Sequence, residues 1–215
     1  MPTDTRLLTL MQWLSPAYPL GSFAYSHGLE SAVAKGWVKG PESLKDWLED
    51  VLCEGTGRND AILLRQAFDA PDAASLAHVE AVARAACPSA ERLREAGRQG
   101  AAFARVTAEV WQIDLPSLLF PVAVGRAARL ADLDPEITAM LFLQGFASNL
   151  VSAAQRLMPL GQTEAQRVLS RLAPACQRLV HETAAAPLDE IASNAFLSDV
   201  ASLTHETLEP RIFQS

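Results

Sequence analysis

Apolar residues recur every three or four positions along almost the whole chain, and no stretch alternates with the period of two that a half-buried strand needs. The pattern predicts an all-α protein, and prolines and glycines divide it into segments. A first helix spans about Thr5 to Leu14, where Pro16 and Pro19 stop it by fixing φ and removing amide donors. Gly21 permits a tight reversal, and Ser22 is placed to cap a second helix from about Phe23 to Lys35. Gly40-Pro41-Glu42-Ser43 opens a third helix, which Gly55-Thr56-Gly57 ends. Asn59 or Asp60 starts a fourth, through Phe68. Asp72 caps a fifth, to about Ala86, and Cys87-Pro88-Ser89 breaks the chain before a long sixth from Ala90 to about Trp111.

Leu115-Pro116-Ser117 and Pro121 make a broken approach to a helix ending near Leu130. Asp134-Pro135-Glu136 then gives a cap, a proline at the first helical position and an acid at the positive end of the dipole. The helix it starts carries Ile137, Met140, Leu143, Ala147, Leu150, Ala154 and Leu157 on one stripe, with Leu141, Phe142 and Phe146 elsewhere. It is apolar nearly all round, so it is predicted to be central. Pro159 and Gly161 stop it, Thr163 caps the next helix to about Ala185, and a last one runs from about Asn194 to Glu209. The sum is a single-domain all-α bundle of about nine or ten helices over residues 1–215, without an internal repeat or linker.

The second segment is unusually dense in special residues. On a continuous helix, Tyr25, Leu29 and Ala32 would form one stripe, and Ser26, His27 and Glu30 would share another side. One face packs; the other presents hydroxyl, imidazole and carboxylate.

Composition narrows the function classes. A chain of 215 residues, 49% hydrophobic and 20% charged, buries a sizeable core. A net charge of −7 and a pI near 5.1 argue against nucleic acid as the main partner. Cys53, Cys87 and Cys176 are odd in number and widely spaced, which suits a reducing, cytoplasmic compartment. Leu7–Leu14 is short and lacks the basic flank and cleavage site of a secretory signal. The uncharged run Ile137–Ala154 has the length of a membrane span, but Thr138, Gln144, Ser148, Asn149 and Ser152 bring a polar group to every turn, so a buried soluble helix is expected.

Enzymatic motifs are largely missing. Glu54-Gly55-Thr56-Gly57-Arg58 lacks the Lys-Ser/Thr of a phosphate-binding loop. His181-Glu182 and His205-Glu206 begin like a zinc-protease motif, but Ala185 and Glu209 stand where the second histidine belongs. There is no Gly-x-Ser-x-Gly elbow. No metal site or cofactor is therefore expected, and the isolated histidines His27, His78, His181 and His205 read as structural or surface residues. Charge is patterned instead: Glu42, Asp46, Glu49, Asp50 and Glu54 make the third helix acidic, and Arg92, Arg94, Arg98 and Arg105 make the sixth basic. Glu91–Arg94 and Glu95–Arg98 are spaced to pair within that helix.

Two further strings stand out. Gln155-Arg156-Leu157-Met158-Pro159-Leu160-Gly161-Gln162 is a helix C-terminus, with arginine at the negative dipole end and proline and glycine redirecting the chain. The tail holds Asp199, His205-Glu206 and Arg211-Ile212-Phe213-Gln214-Ser215. Pro19-Leu-Gly21-Ser-Phe-Ala-Tyr-Ser26-His27-Gly28-Leu-Glu30 closely resembles the N-terminal signature of UreF, the urease accessory protein family. Arg156-x-x-Pro159-Leu-Gly161-Gln162 is similar to the family's Arg-x-x-Pro-Leu-Gly-Gln. The tail resembles its His-Glu-(x)4-Arg-Leu-Phe-Arg-Ser ending, with Ile212 for leucine, Gln214 for the usual arginine and an added Pro210. The three strings occur in the family's order and cover both ends of the chain.

That resemblance implies a dimeric all-α chaperone without catalytic residues. It implies binding to UreD (UreH in some systems) and recruitment of the GTPase UreG to the urease apoprotein, so that nickel, supplied with help from UreE, is inserted. By the same resemblance Arg211, Phe213 and Ser215 are assigned to UreD. The Pro19–Glu30 segment, the Arg156–Gln162 turn and the His205-Glu206 pair are candidates for partner contact or dimer support. As an exposed end the tail is expected to fray unless it docks, and its arginine and aromatic suit an anchor. A competing reading is a helical small-molecule enzyme of the haem-oxygenase or thiaminase-like type. That enzyme needs a deep apolar pocket with convergent His, Glu or Cys groups, Cys53 or Cys176 beside a carboxylate among them.

Overall fold

A computed structural model describes residues 5–215. Among the described residues there are ten α-helices, two short 3-10 turns and no strand. The helices are α1 (Thr5–Trp13), α2 (Leu29–Ala34), α3 (Pro41–Cys53), α4 (Thr56–Asp69), α5 (Ala73–Ala85), α6 (Ala90–Trp111), α7 (Phe120–Leu130), α8 (Pro135–Leu157), α9 (Gln162–Thr183) and α10 (Phe196–His205). The all-α bundle is as the periodicity predicts.

Local chemistry explains most boundaries. Asp134 caps α8 by accepting from the amides of Glu136 and Ile137 at 2.8 and 2.9 Å. Ser89 caps α6 and Asp72 caps α5 in the same way. The start of α9 lies earlier than Thr163, because the Gly161 amide donates to Glu164 at 3.2 Å and fixes the first turn there. Helix α4 likewise starts at Thr56, directly after Gly55.

The largest departure concerns the second helix. A 3-10 turn covers Ser22–Ala24, the chain then extends, and α2 begins only at Leu29. His27 (φ 55°) and Gly28 (φ 76°) are left-handed, which no helix accommodates. Gly28 is required by packing as well: a Cβ there would lie 2.6 Å from the backbone nitrogen of Ser202 on α10. Close approach to α10 overrides the helical periodicity of the segment.

The core is one continuous apolar cluster into which most helices contribute. Trp13 at the end of α1 is fully buried and meets Phe103 and Trp111 of α6 edge-on, at 5.3 and 5.6 Å between ring centres. Helix α4 lies so close on α7 that a Cβ on Gly125 would be 2.1 Å from the carbonyl oxygen of Leu64. Helix α8 buries Phe142, Leu143, Ala147, Leu150, Val151 and Ala154, while Ile137 in its first turn is exposed. Among the described residues α8 alone is long and apolar enough to cross a membrane, and half of its most apolar window is buried inside the fold.

Candidate functional site

The three strings that the sequence singles out meet in space. Arg156 of α8 donates to the carbonyl oxygen of Phe23 at 2.5 Å, and its guanidinium lies 4.2 Å over the ring of Phe213. The Ser26 amide and hydroxyl both donate to the Ser215 carbonyl oxygen, at 2.9 and 2.5 Å. The Gln214 amide donates to Ala24 at 2.8 Å. Residues 211–215 thus lie in a groove formed by the N-terminal segment, α6 and α8.

Glu30 holds the tail most directly. One carboxylate oxygen accepts from the Ile212 amide at 2.7 Å; the other accepts from the Phe213 amide at 2.9 Å and faces His205 Nε2 at 3.1 Å. His205 Nδ1 lies 2.7 Å from Glu91 on α6, and Arg211 donates to the other oxygen of Glu91 at 2.6 Å. The arrangement needs a hydrogen on both ring nitrogens of His205, or one on a carboxyl facing it. Glu206 points the other way and accepts from the amides of Ala90 and Glu91, sealing the first turn of α6. The Ser89 and Ser202 hydroxyls bond at 2.8 Å beside them. Ser215 Oγ donates to Glu95 at 2.6 Å, and Arg98 reaches Gln214 at 2.8 Å.

A second buried group lies behind the tail. Glu95 pairs with Arg92, and His27 Nε2 is 2.7 Å from Glu95 and 2.9 Å from Arg92. Burial alone would raise the Glu95 carboxyl, but Arg92 overcomes it, with His27 assisting, and holds it at about 2. His27 is also shifted down, because burial and the Arg92 charge disfavour an imidazolium more than Glu95 favours it. Its ring stands edge-on to Phe146 at 4.6 Å. We therefore read the set as an Arg92–Glu95 ion pair beside a neutral imidazole.

Next to this set is a cavity of about 240 Å³, walled by Leu20, Ala96, Phe120, Phe142 and Phe146 and lined at its polar end by His27, Asp60, Arg92, Glu95 and Gln99. Asp60 of α4 makes no hydrogen bond or ion pair among the described residues, and burial pushes its carboxyl up to about 7 against the pull of Arg92. The cavity has the apolar walls that an enzyme requires, but Cys53 and Cys176 are not in its lining. Their thiols are raised, chiefly by burial, Cys176 to about 11.

The candidate residues divide by position. Ser26, His27, Gly28, Glu30, His205, Phe213 and Ser215 are buried, and Gly21 is half-buried. Pro19, Arg156, Pro159, Gly161, Gln162, Glu206 and Arg211 are exposed. Ser26 and Glu30 face the tail, whereas His27 faces α6, so the three do not share one face. The tail is ordered against its own chain instead of fraying, because Glu30 and Ser26 supply partners for its backbone. Arg156 and Phe213 come together; Pro159, Gly161 and Gln162 turn away and form no part of the network. Glu95 pairs with Arg92 where spacing suggested Arg98.

Sequence reasoning missed Asp60, Glu91, Arg92 and Glu95. The available signal was their stripe: Arg92, Glu95, Gln99, Phe103 and Thr107 lie on one side of α6 and are all buried.

The chain resembles known proteins along its length. The sequence model of the UreF family matches residues 38–173. "Urease accessory protein UreF" of Ruegeria sp. (strain TM1040) is 52% identical over 213 residues, covering 99% of this chain and 100% of that protein. The protein of the same name from Cereibacter sphaeroides (strain KD131) is 51% identical over 209 residues, 97% of this chain and 98% of its own. That from Ruegeria pomeroyi is 44% identical over 214 residues, 100% of this chain and 99% of its own. These full-length likenesses include both end strings, which lie outside the stretch matched by the family model.

Proposed function

Because the chain belongs to the UreF family of urease accessory proteins, we propose that it acts as a non-catalytic adaptor in urease maturation. In this reading it joins UreD and the GTPase UreG to the urease apoprotein, so that nickel, brought with help from UreE, enters the active site. It works in the cytoplasm as a homodimer, with residues 1–215 as one unit and 210–215 as the docking tail. GTP hydrolysis belongs to UreG.

One observation carries the reading: the three family-like strings form a single network although up to 189 residues separate their members. Within it the buried groups fix shape, and an exposed rim of Phe23, Arg156, Arg211 and Ile212 remains for a partner. Arginine and aromatic side chains are the usual anchors of such contacts. Phe213 and Ser215 hold the tail in place, and Arg211 with Ile212 turns toward UreD.

The test is co-expression of urease with its accessory proteins, with and without this chain, measuring nickel content and urease activity. Loss of both without the chain is expected; unchanged activation overturns the reading. In a pull-down, truncation after Glu209 should abolish UreD capture. Undiminished capture removes the tail assignment.

A further inference from the structure

The cavity beside Asp60 has a chemistry that the adaptor role does not use. Of the charges around it, Arg92 and Glu95 of α6 neutralise each other, and His27 from the N-terminal segment is held neutral. Arg156 of α8 stands at the solvent-exposed mouth and is engaged with Phe23 and Phe213. Cys87, after α5, lies outside this lining and shares a separate, smaller cleft with Asp60 and Arg92, where burial keeps its thiol protonated. Asp60 is the remaining charge, a carboxyl without a hydrogen-bond or ion-pair partner among the described residues. Gln99 gives its amide nitrogen to Glu95 at 3.3 Å and leaves its carbonyl oxygen to accept. Asp60 and the Gln99 carbonyl oxygen are thus free acceptors, while Arg92 Nε and His27 Nδ1 are buried without a partner, and phenyl rings of Phe120, Phe142 and Phe146 share the lining.

A carboxylate and aromatic rings lining one largely apolar enclosure suit a cation with an organic stem. The carboxylate supplies the counter-charge, ring faces attract the cation, and the walls take the stem. With Arg92 already balanced by Glu95, an anion would meet the uncompensated charge of Asp60, and a purely apolar guest would leave the carboxyl unpaired. The cavity of about 240 Å³ exceeds one of about 150 Å³ that holds benzene. We propose that it binds a primary ammonium on an apolar stem, with the Asp60 carboxylate as counter-ion. The head comes from a free amine or from a lysine of a docked partner.

The test uses the full chain and three probes of one shape: 2-phenylethylammonium, 2-phenylethanol and phenylacetate, titrated by NMR and calorimetry. The cation is expected to bind saturably, at least about tenfold more tightly than the alcohol or the anion, as for a charge-assisted contact. Asp60→Asn should reduce the cation to the level of the alcohol, with a thermal melt confirming that the variant folds. Since ligand binding requires the ionised carboxylate, cation affinity in the unaltered protein should rise about tenfold between pH 6 and 8. Equal affinity for cation and alcohol, no effect of Asp60→Asn, or no saturable binding overturns the proposal.

Adding saturating 2-phenylethylammonium to the UreD pull-down then separates the sources. Displacement of the partner points to its lysine, and retention to a free amine. The titrations read the isolated chain, so their outcome is independent of the adaptor role.

Discussion

Replacing Glu30 with glutamine isolates what holds the tail. The carboxylate offers two oxygens to three partners: the Ile212 amide at 2.7 Å, the Phe213 amide at 2.9 Å and His205 Nε2 at 3.1 Å. Glutamine keeps one oxygen and turns an NH2 group toward at least one backbone N–H. Hydrogen bonds to a charged acceptor contribute about 1.5–3 kcal/mol each, and stranding a buried donor costs a similar amount. Losing one such bond should therefore lower the free energy of tail opening by about 2–3 kcal/mol, which is roughly a 30- to 150-fold faster exchange of the affected amides. Hydrogen exchange followed by NMR at Ile212 and Phe213 reads this directly, with Leu143 in the core as an internal reference. Glu136→Gln, at an exposed position in the first turn of α8, should leave both amides unchanged. If Glu30→Gln folds and exchange at both amides is also unchanged, the carboxylate does not hold the tail, and the network is incidental to its order.

Three further outcomes follow from the same geometry. Gly28→Ala must accept left-handed φ and push a Cβ against the α10 backbone, so the urea midpoint should fall by the equivalent of about 2–4 kcal/mol; a change below about 0.5 kcal/mol would refute the close packing. Arg92→Met leaves Glu95 buried beside a neutral imidazole and should cost about 3–5 kcal/mol at pH 7. In the unaltered protein Glu95, depressed to about 2 when folded against an unfolded value of about 4.3, stabilises at pH above the unfolded value; that contribution is lost as pH falls through the folded one, and Arg92→Met should flatten this acid-side loss. Asp60 has the opposite sign: its folded value of about 7 exceeds an unfolded one of about 3.9, so the native state binds the extra proton and stability falls as pH rises between them. Asp60→Asn should match the unaltered protein near pH 4 and exceed its stability by up to about 4 kcal/mol at pH 8, measured by urea denaturation.

Elements with strong local signals were legible in the sequence. The sixth helix, Ala90–Trp111, follows from the Cys87-Pro88-Ser89 break before it and its apolar repeat, and the Asp134-Pro135 pair marks the start of α8. The segment around His27 was not, because the left-handed turn there is imposed by α10, which lies about 175 residues later. The tail misled for a related reason. Arg211 and Phe213 have the composition of an interface anchor, and no local pattern reveals that Glu91 of the same chain receives Arg211 while Glu30 and Arg156 receive Phe213. Charge was the hardest to read: Arg92 and Glu95 look like surface residues by type, and only their alignment with Phe103 betrays burial. The candidate strings were therefore found, while the partners that organise them were not.

The joining of Ser26 to Ser215 also has a consequence for biosynthesis. The ribosome makes the two residues 189 positions apart, an interval of roughly 10–40 s at ordinary elongation rates. During that time Glu30 and Ser26 lack the tail that satisfies them, so the N-terminal segment cannot reach its final structure as it emerges. Completion of this network thus waits for the synthesis of residues 211–215, and a nascent chain that has not reached them would expose an unclosed polar groove.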